Sequence, residues 1–464
     1  MKSQANHRWR FFLLITLLSL WFSGYVQREI NTYRTIEPED LSDFRVYYIA
    51  GQVARSRTDR RLYSYKEVQS PHDPSRTAVV NPQMQPCDPD STYGRIAGQV
   101  NRNIGQYLYP PFFSLMVVPF TYLPYEKAKV IFHVLVFLLA CASIYITVSF
   151  FYEDYLTIAI VGSVAGLVAE FTHPVRDVLV VCNVGTLILF LTVAGIRLHK
   201  QYPSFGALCF ALAVSIKLTP VVVVPLMIIR REWGWLAAFA LWSTLLLAIG
   251  VWQLGWQNHL EFATRVMPAM SDGYPAGTNR SLSTIFYALW EGEFKSTGGA
   301  YLSAPGVPAA VYKLSAVASL GGLLFFFWRN RRPGSPLHLE ILILTLWSII
   351  FAPVSYRHYY VLALAPAVFA WLHPASREAA SPGKLALLSA ATFMIFSILP
   401  NYAFAAAAWF PAQLALFLVM PTGVILTIWY LMTLLRSQAE DEARPHHAPP
   451  VGGLTTACTR PEIS

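Results

Sequence analysis

Apolar runs of roughly membrane-spanning length recur along almost the whole chain, more than any soluble core could bury. They lie at residues 11–26, 128–151, 156–171, 178–196, 233–252, 307–328, 337–351, 359–372, 385–400 and 412–435. A bilayer core roughly 30 Å thick takes about 20 apolar residues of helix, somewhat fewer where the flanks snorkel. Of the 464 residues only 13% are charged, against 55% hydrophobic. That charged share is about half the usual one, too little to cover a water-soluble fold of this size. The expected fold is therefore all-α and polytopic, a bundle of about 12 helices with one large polar loop after the first span.

The net charge of +9 sits in short loops between the apolar runs. That pattern fits the positive-inside rule rather than a nucleic-acid footprint, and no nucleic-acid partner is expected. Cys141, Cys182 and Cys209 lie in apolar stretches, Cys87 in the long loop and Cys458 in the tail. An odd, scattered set gives neither a disulfide framework nor a metal spacing. The run 11–26 has the basic flank of a signal peptide, but Gln27-Arg28-Glu29 is a poor cleavage site. It reads as a retained first span.

Two stretches are too short or too broken to be simple spans. Residues 111–123 carry Pro119 and run into Pro124, the pattern of a half-span or re-entrant helix. Residues 204–229 are interrupted by Lys217-Leu218-Thr219-Pro220, and each half makes only about 20 Å of helix. Take Lys2, Arg8 and Arg10 as cytoplasmic. Alternating spans then leave Arg197/Lys200, Arg329/Arg331/Arg332 and Arg377/Lys384 inside, provided that 204–229 goes out and returns. Arg230 and Arg231 then also lie inside, with Lys217 at the outer tip. The alternative, one Pro-kinked span with a snorkelling lysine, inverts everything downstream.

The expected organisation is a cytoplasmic N-terminus (1–10), a first span (11–26), an extracytoplasmic loop with an interfacial helix (27–110), a multi-span domain (111–435) and a disordered cytoplasmic tail (436–464). The outer side also gathers 173–177, Lys217, 253–306, the turn 353–358 and 401–411. No internal repeat is visible, so an inverted-repeat transporter gains no support.

Chemistry-bearing residues collect on that side. Phe44, Tyr47/Tyr48, Gly51 and Ala54 share one helical face. Ser42 is a candidate N-cap, which puts Asp43 in the first turn, where the dipole favours a carboxylate. On spacing alone, Asp43 serves helix capping as readily as catalysis. Tyr109-Pro110-Pro111-Phe112 is a stiff, extended lead into an apolar half-helix. Lys217, between apolar helices, must reach an anion, a cavity or the interface. In Pro353-Val354-Ser355-Tyr356-Arg357-His358 a guanidinium and an imidazole stand beside aromatics, both suited to a phosphate. Thr278-Asn279-Arg280-Ser281-Leu282-Ser283 opens a short apolar stretch that dips back toward the membrane. Together these residues imply an anionic ligand beside a carboxylate.

The ordered set Asp43-Phe44-x-Val46-Tyr47-Tyr48-x-Ala50-Gly51, Leu62-Tyr63, Tyr109-Pro110-Pro111, Lys217-x-x-Pro220, Arg230-Arg231-x-Trp233, Asn279-x-Ser281-Leu282 and Pro353-x-Ser355-Tyr356-x-His358 resembles glycosyltransferase family 87. These are membrane enzymes of the GT-C type related to mycobacterial phosphatidylinositol-mannoside mannosyltransferases. No single motif decides this; the order from residue 43 to about 366 does. Two departures bear on substrate identity. Cys182-Asn183-Val184-Gly185 stands where the family often has Gly-Gln-x-Asn, and His358-Tyr359 where it often has His-His. The proline-rich stretch 64–106 is an insertion with no assigned role.

The resemblance implies a GT-C bundle in the cell membrane, taking a sugar, mannose by resemblance, from a polyprenyl-phosphate donor at the outer leaflet. The acceptor would be a lipid or glycan hydroxyl. It implies Asp43 as general base, Lys217, Arg357 and His358 at the donor phosphate, and Tyr47, Tyr48, Tyr109, Asn183, Asn279 and Arg280 as further substrate contacts. A single displacement needs a carboxylate for the acceptor proton and cations for the departing phosphate. It demands no second carboxylate at a covalent-intermediate spacing. No nucleotide-binding glycine loop or metal motif is present in the sequence, which suits a lipid-linked donor without a cofactor and leaves metal dependence open. A flippase or exporter of a lipid-linked anion is the alternative, with Lys217, Arg357 and His358 lining its path. A polysaccharide polymerase or ligase shares the topology and differs in linkage chemistry.

Overall fold

In the computed structural model the described residues are 42–56, 59–63, 68–69, 77–78, 90–100, 107–271, 279–294, 306–331, 336–373, 382–397 and 409–443, with a few positions between 13 and 24. The N-terminus 1–10, most of the span 11–26, most of the insertion 64–106, Cys87 and the tail beyond 443 lie outside them.

Among the described residues the fold is all-α apart from a two-residue antiparallel pairing of Val68–Gln69 with Thr77–Ala78 and an isolated bridge between Asn279 and Tyr356. Among the described residues, Tyr125–Val148, Trp233–Leu254, Gly306–Arg329 and Phe410–Ser437 are each long and apolar enough to cross a membrane. A fifth span results if Tyr155–Glu170 and His173–Val180, bent by 77°, count as one. Gly185–His199, Pro203–Ile216, Leu337–Phe351 and Pro382–Phe396 have 14 or 15 residues and reach only about 21–23 Å. The protein is thus a polytopic helical membrane protein. The last helix, Phe410–Ala443, continues past Arg436, where the tail was expected to begin.

The apolar runs locate most helices, and the run 337–351 is reproduced as Leu337–Phe351. The run 178–196 is not one span. His173–Val180 ends, the chain turns, and Gly185–His199 begins. Cys182 takes φ 50 in that turn, a left-handed conformation usually held by Gly or Asn, so no ordinary breaker marks it in the sequence. Residues 173–177, expected as a loop, are the first turns of His173–Val180. The run 359–372 is a 3₁₀ segment, Arg357–Ala363, followed by the helix Leu364–Leu372.

The broken stretch around Lys217 has the out-and-back form. Pro203–Ile216 stops at Lys217, whose backbone is extended (φ −151, ψ 133), and Thr219–Val222 turns the chain into Val223–Arg230. His199 Nε2 lies 3.7 Å from Glu232 Oε2, so the start and finish of the excursion meet at one point. A straight kinked span would hold them two half-helices apart. Lys217 therefore sits at the far tip, about 20 Å of helix away.

Small residues let the outgoing arm lie against Gly185–His199. A Cβ on Gly206 would stand 2.9 Å from the Gly195 carbonyl oxygen, and one on Gly195 would meet the Phe210 ring at 2.7 Å. Such close backbone approach is a main source of helix association in lipid, where apolar surface gains nothing from leaving water. The returning arm is pinned by Arg230, which grips Glu340 with Nη2–Oε1 at 2.5 Å and Nε–Oε2 at 2.7 Å. Arg331 donates to the Ile229 and Arg230 carbonyls. Removing one partner of such a buried pair costs about 3–5 kcal/mol, so the tip that carries Lys217 has a firm base.

Candidate active site

The site is built around the start of the amphipathic helix Phe44–Arg55. Asp43 itself holds the N-cap position, and its side chain makes no capping bond. Ser42, the expected cap, instead shares a 3.3 Å hydrogen bond with the Tyr125 hydroxyl. The Asp43 backbone N–H donates to Val181 O at 2.7 Å, fastening the helix start to the turn before Gly185. Freed from capping, the carboxylate accepts from Asn183 Nδ2 at 2.6 Å through Oδ2. Among the described residues nothing donates a hydrogen bond to Oδ1.

Asn183 is fully buried, and every part of its amide is engaged. Oδ1 accepts from the Gly185 N–H at 2.8 Å, and Nδ2 also reaches Tyr47 Oη at 3.2 Å. Tyr47 in turn shares a 2.8 Å hydrogen bond with Tyr109. Burial first, and then the Asp43 carboxylate, holds the Tyr47 phenol well above its ordinary range. Burial does the same for Tyr109, with Tyr359, Tyr47 and Asp43 adding to it. Both phenols therefore stay protonated. A line of polar groups thus runs inward from Asp43, whose side chain remains 32% exposed.

Tyr109 is itself braced. The Tyr63 hydroxyl donates to Tyr109 O at 2.7 Å and that of Tyr107 to Pro110 O at 3.0 Å. Pro111, at the first position of the helix Pro111–Val117, has no N–H to leave unpaired. The loop behind is tied down by Asn258, which accepts from Leu62 N at 2.9 Å and donates to Arg60 O at 2.9 Å.

Basic side chains gather at Asp43 and at the neighbouring Asp177. Lys217 Nζ lies 3.0 Å from the centroid of the Tyr359 ring, within electrostatic reach of Asp43. His358 Nε2 stands 3.9 Å from Asp43 Oδ2, and its Nδ1 stands 3.6 Å from Asp177 Oδ2. Arg357 Nη2 is 3.9 Å from Asp177 Oδ1, with its side chain 36% exposed. These are ion-pair distances beyond hydrogen-bond contact.

The turn that presents Arg357 and His358 is clamped by residues 279–283. Asn279 Nδ2 donates to Pro353 O at 3.1 Å, and Asn279 Oδ1 accepts from Ser355 N at 2.8 Å. Ser283 Oγ donates to Pro353 O at 2.9 Å and Arg280 N to Ser355 O at 2.6 Å. The Tyr360 hydroxyl closes the clamp on Arg280 O at 2.9 Å.

The structure therefore brings together Asp43, Tyr47, Tyr109, Asn183, Lys217, Arg357 and His358. It leaves three of the expected substrate contacts apart. Tyr48 donates to Leu123 O at 2.7 Å and packs edge-on to Tyr125, fastening its helix to the end of the half-helix. Asn279 is fully buried with both ends of its amide on backbone. Arg280 lays its guanidinium over Phe417, 4.9 Å from the ring centroid. Two residues of the cluster had no assigned role in the sequence: Asp177 and Tyr359. Tyr359 was visible only as the departure from His-His, and Asp177 stood in what read as a connecting loop. Among the described residues no group of His, Cys, Asp and Glu is arranged to hold a metal ion.

A family model described as Glycosyltransferase family 87 matches residues 107–353. That segment contains Tyr109, Asp177, Asn183, Lys217 and the 279–283 clamp, whereas Asp43, Tyr47 and Arg357–Tyr359 lie beyond its ends. Curated relatives from two strains of Mycobacterium tuberculosis, CDC 1551 / Oshkosh and ATCC 25618 / H37Rv, both carry the name Alpha-(1->3)-arabinofuranosyltransferase. Each is 25% identical over 270 residues, which is 56% of this chain and 57% of the relative. The chain thus matches little more than half the length of these relatives.

Proposed function

The chain belongs to glycosyltransferase family 87, and we propose that it moves a sugar from a polyprenyl-phosphate donor to a hydroxyl of a lipid or glycan acceptor. The transfer inverts the anomeric centre and takes place at the extracytoplasmic face of the cell membrane. The observation that carries this reading is Asp43, a part-exposed carboxylate held at 2.6 Å by buried Asn183, with Lys217 and His358 beside it and Arg357 against the neighbouring Asp177.

In the proposed step the acceptor oxygen attacks the anomeric carbon while Asp43 Oδ1 takes its proton. The bond from that carbon to the phosphate oxygen breaks, and polyprenyl phosphate leaves with both bonding electrons. Lys217, Arg357 and His358 stabilise the charge that develops on it. Asn183 keeps Oδ2 occupied, which leaves Oδ1 as the proton-accepting oxygen. An exporter needs its cations spread along a path through the bundle. Their gathering at Asp43 and the neighbouring Asp177, at the tip of the Lys217 excursion, favours chemistry instead.

Mannose follows from the sequence resemblance; arabinofuranose is favoured by the name of the mycobacterial relatives. The test is to incubate the purified full-length protein with polyprenyl-phosphate donors radiolabelled in mannose or in arabinofuranose and follow label into lipid extracts. Label in a new glycolipid from either donor supports the reading. Movement of an intact donor across vesicles without transfer would favour the exporter.

The proposed sidedness has its own check. In a cysteine-free background, Ser91→Cys is expected to react with an impermeant thiol reagent in intact cells, while Arg231→Cys is protected. Labelling of the Arg231 position from outside would put the site on the cytoplasmic face.

A further inference from the structure

Asp177 has no task in the step described above, yet its carboxylate lies within 4 Å of two of the three basic side chains. It lies on His173–Val180, which packs against the segment Arg357–Ala363. Its side chain is 19% exposed and that of His358 only 9%. The imidazole is thus held between carboxylates, with Nδ1 facing Asp177 at 3.6 Å and Nε2 facing Asp43 at 3.9 Å. The other Asp177 oxygen faces Arg357 Nη2 at 3.9 Å.

We propose that Asp177 is a positioning residue: by holding His358 Nδ1 and the Arg357 guanidinium, it keeps His358 Nε2 turned toward Asp43 and the departing phosphate. The physical need is plain. The outer torsion of a histidine ring is broad and roughly twofold, so nothing intrinsic chooses which nitrogen faces Asp43. A carboxylate facing Nδ1 selects the ring orientation that leaves Nε2 toward Asp43. Arg357, a long side chain more than a third exposed, likewise gains a fixed direction from the same carboxylate. Asp177 itself contacts neither donor nor acceptor in this arrangement.

This inference rests on the glycosyltransferase reading, and its test separates the two. Initial rates are measured for the full-length protein with the radiolabelled polyprenyl-phosphate donor that it uses. Asp177→Asn is expected to lower kcat about 10- to 100-fold, by analogy with the loss seen when a metal-bound histidine is deprived of its orienting carboxylate. In a background carrying both His358→Gln and Arg357→Gln the same substitution is expected to cost less than about threefold, because residues acting as one unit are not additive. A wild-type kcat for Asp177→Asn, or a loss in that background as large as in the wild type, would overturn the positioning role and leave the function reading intact. Absence of any label transfer by the wild-type protein would overturn the function reading instead. If Asp177→Asn fails to accumulate, Asp177→Glu carries the test. Its displaced carboxylate is expected to lower kcat with the fold retained, and an unchanged kcat overturns the role. A structure of Asp177→Asn in which His358 Nε2 still faced Asp43 would overturn it whatever the rates.

Discussion

Asp43→Asn is expected to lower turnover by about 10²–10⁴-fold, the range that a general base contributes. The substitution keeps size and shape. The backbone hydrogen bond from residue 43 to Val181 O is untouched, and an amide oxygen can still accept from Asn183. The helix start should therefore hold, and protein level and donor binding should persist while transfer fails. Initial rates and thermal stability in detergent check both halves of this expectation. Asp40→Asn and Glu39→Gln are the controls, since both acids precede the helix. Near-normal turnover by Asp43→Asn together with loss in either control would move the base to that neighbour. Activity in all three variants would remove the general-base assignment from this stretch of the chain.

Lys217→Met and Arg357→Gln are each expected to lower kcat/KM for the donor by roughly 10- to 150-fold, equivalent to losing a charge-assisted contact of about 1.5–3 kcal/mol. Met keeps most of the lysine's length and polarisability against the Tyr359 ring, so the apolar packing of the tip survives while the charge goes. Gln at 357 retains hydrogen-bonding capacity but cannot balance a phosphate or Asp177. Donor titrations against a fixed acceptor, beside an unchanged melting temperature, are the measurement. Unchanged donor kinetics in both variants would refute the phosphate assignment.

Much of this site is legible in the sequence, because its residues break local rules. A lysine between apolar helices at 217 and an arginine–histidine pair after a proline turn are costly in a membrane chain unless something uses them. The bend at Lys217 is readable from the placement of Arg230 and Arg231. What cannot be read is pairing. Nothing local in Asn279 says that its amide is spent on the Pro353 and Ser355 backbone. Tyr48 and Tyr47 are neighbours in sequence, yet one braces Leu123 and the other joins the Asp43 line. Asp177 is hidden for a different reason. The turn that follows its helix is made by Cys182 in a left-handed conformation, a residue that gives no warning of a break. The helix edge that presents Asp177 therefore merges, in the sequence, with a span and a loop.

The wide sequence spacing of the site's partners has a consequence for biogenesis. Asp43 and Asn183 are 140 residues apart, and Leu62 is tied to Asn258 across 196. At about 5–20 residues per second of synthesis, Asp43 is made roughly 7–28 s before Asn183, and longer still before His358. Throughout that interval the nascent chain holds the carboxylate without the groups that orient it. Catalytic competence would thus arrive only when the turn after Pro353 has been clamped by residues 279–283. On the proposed mechanism, a ribosome stalled upstream of His358 would leave a chain without its complete site.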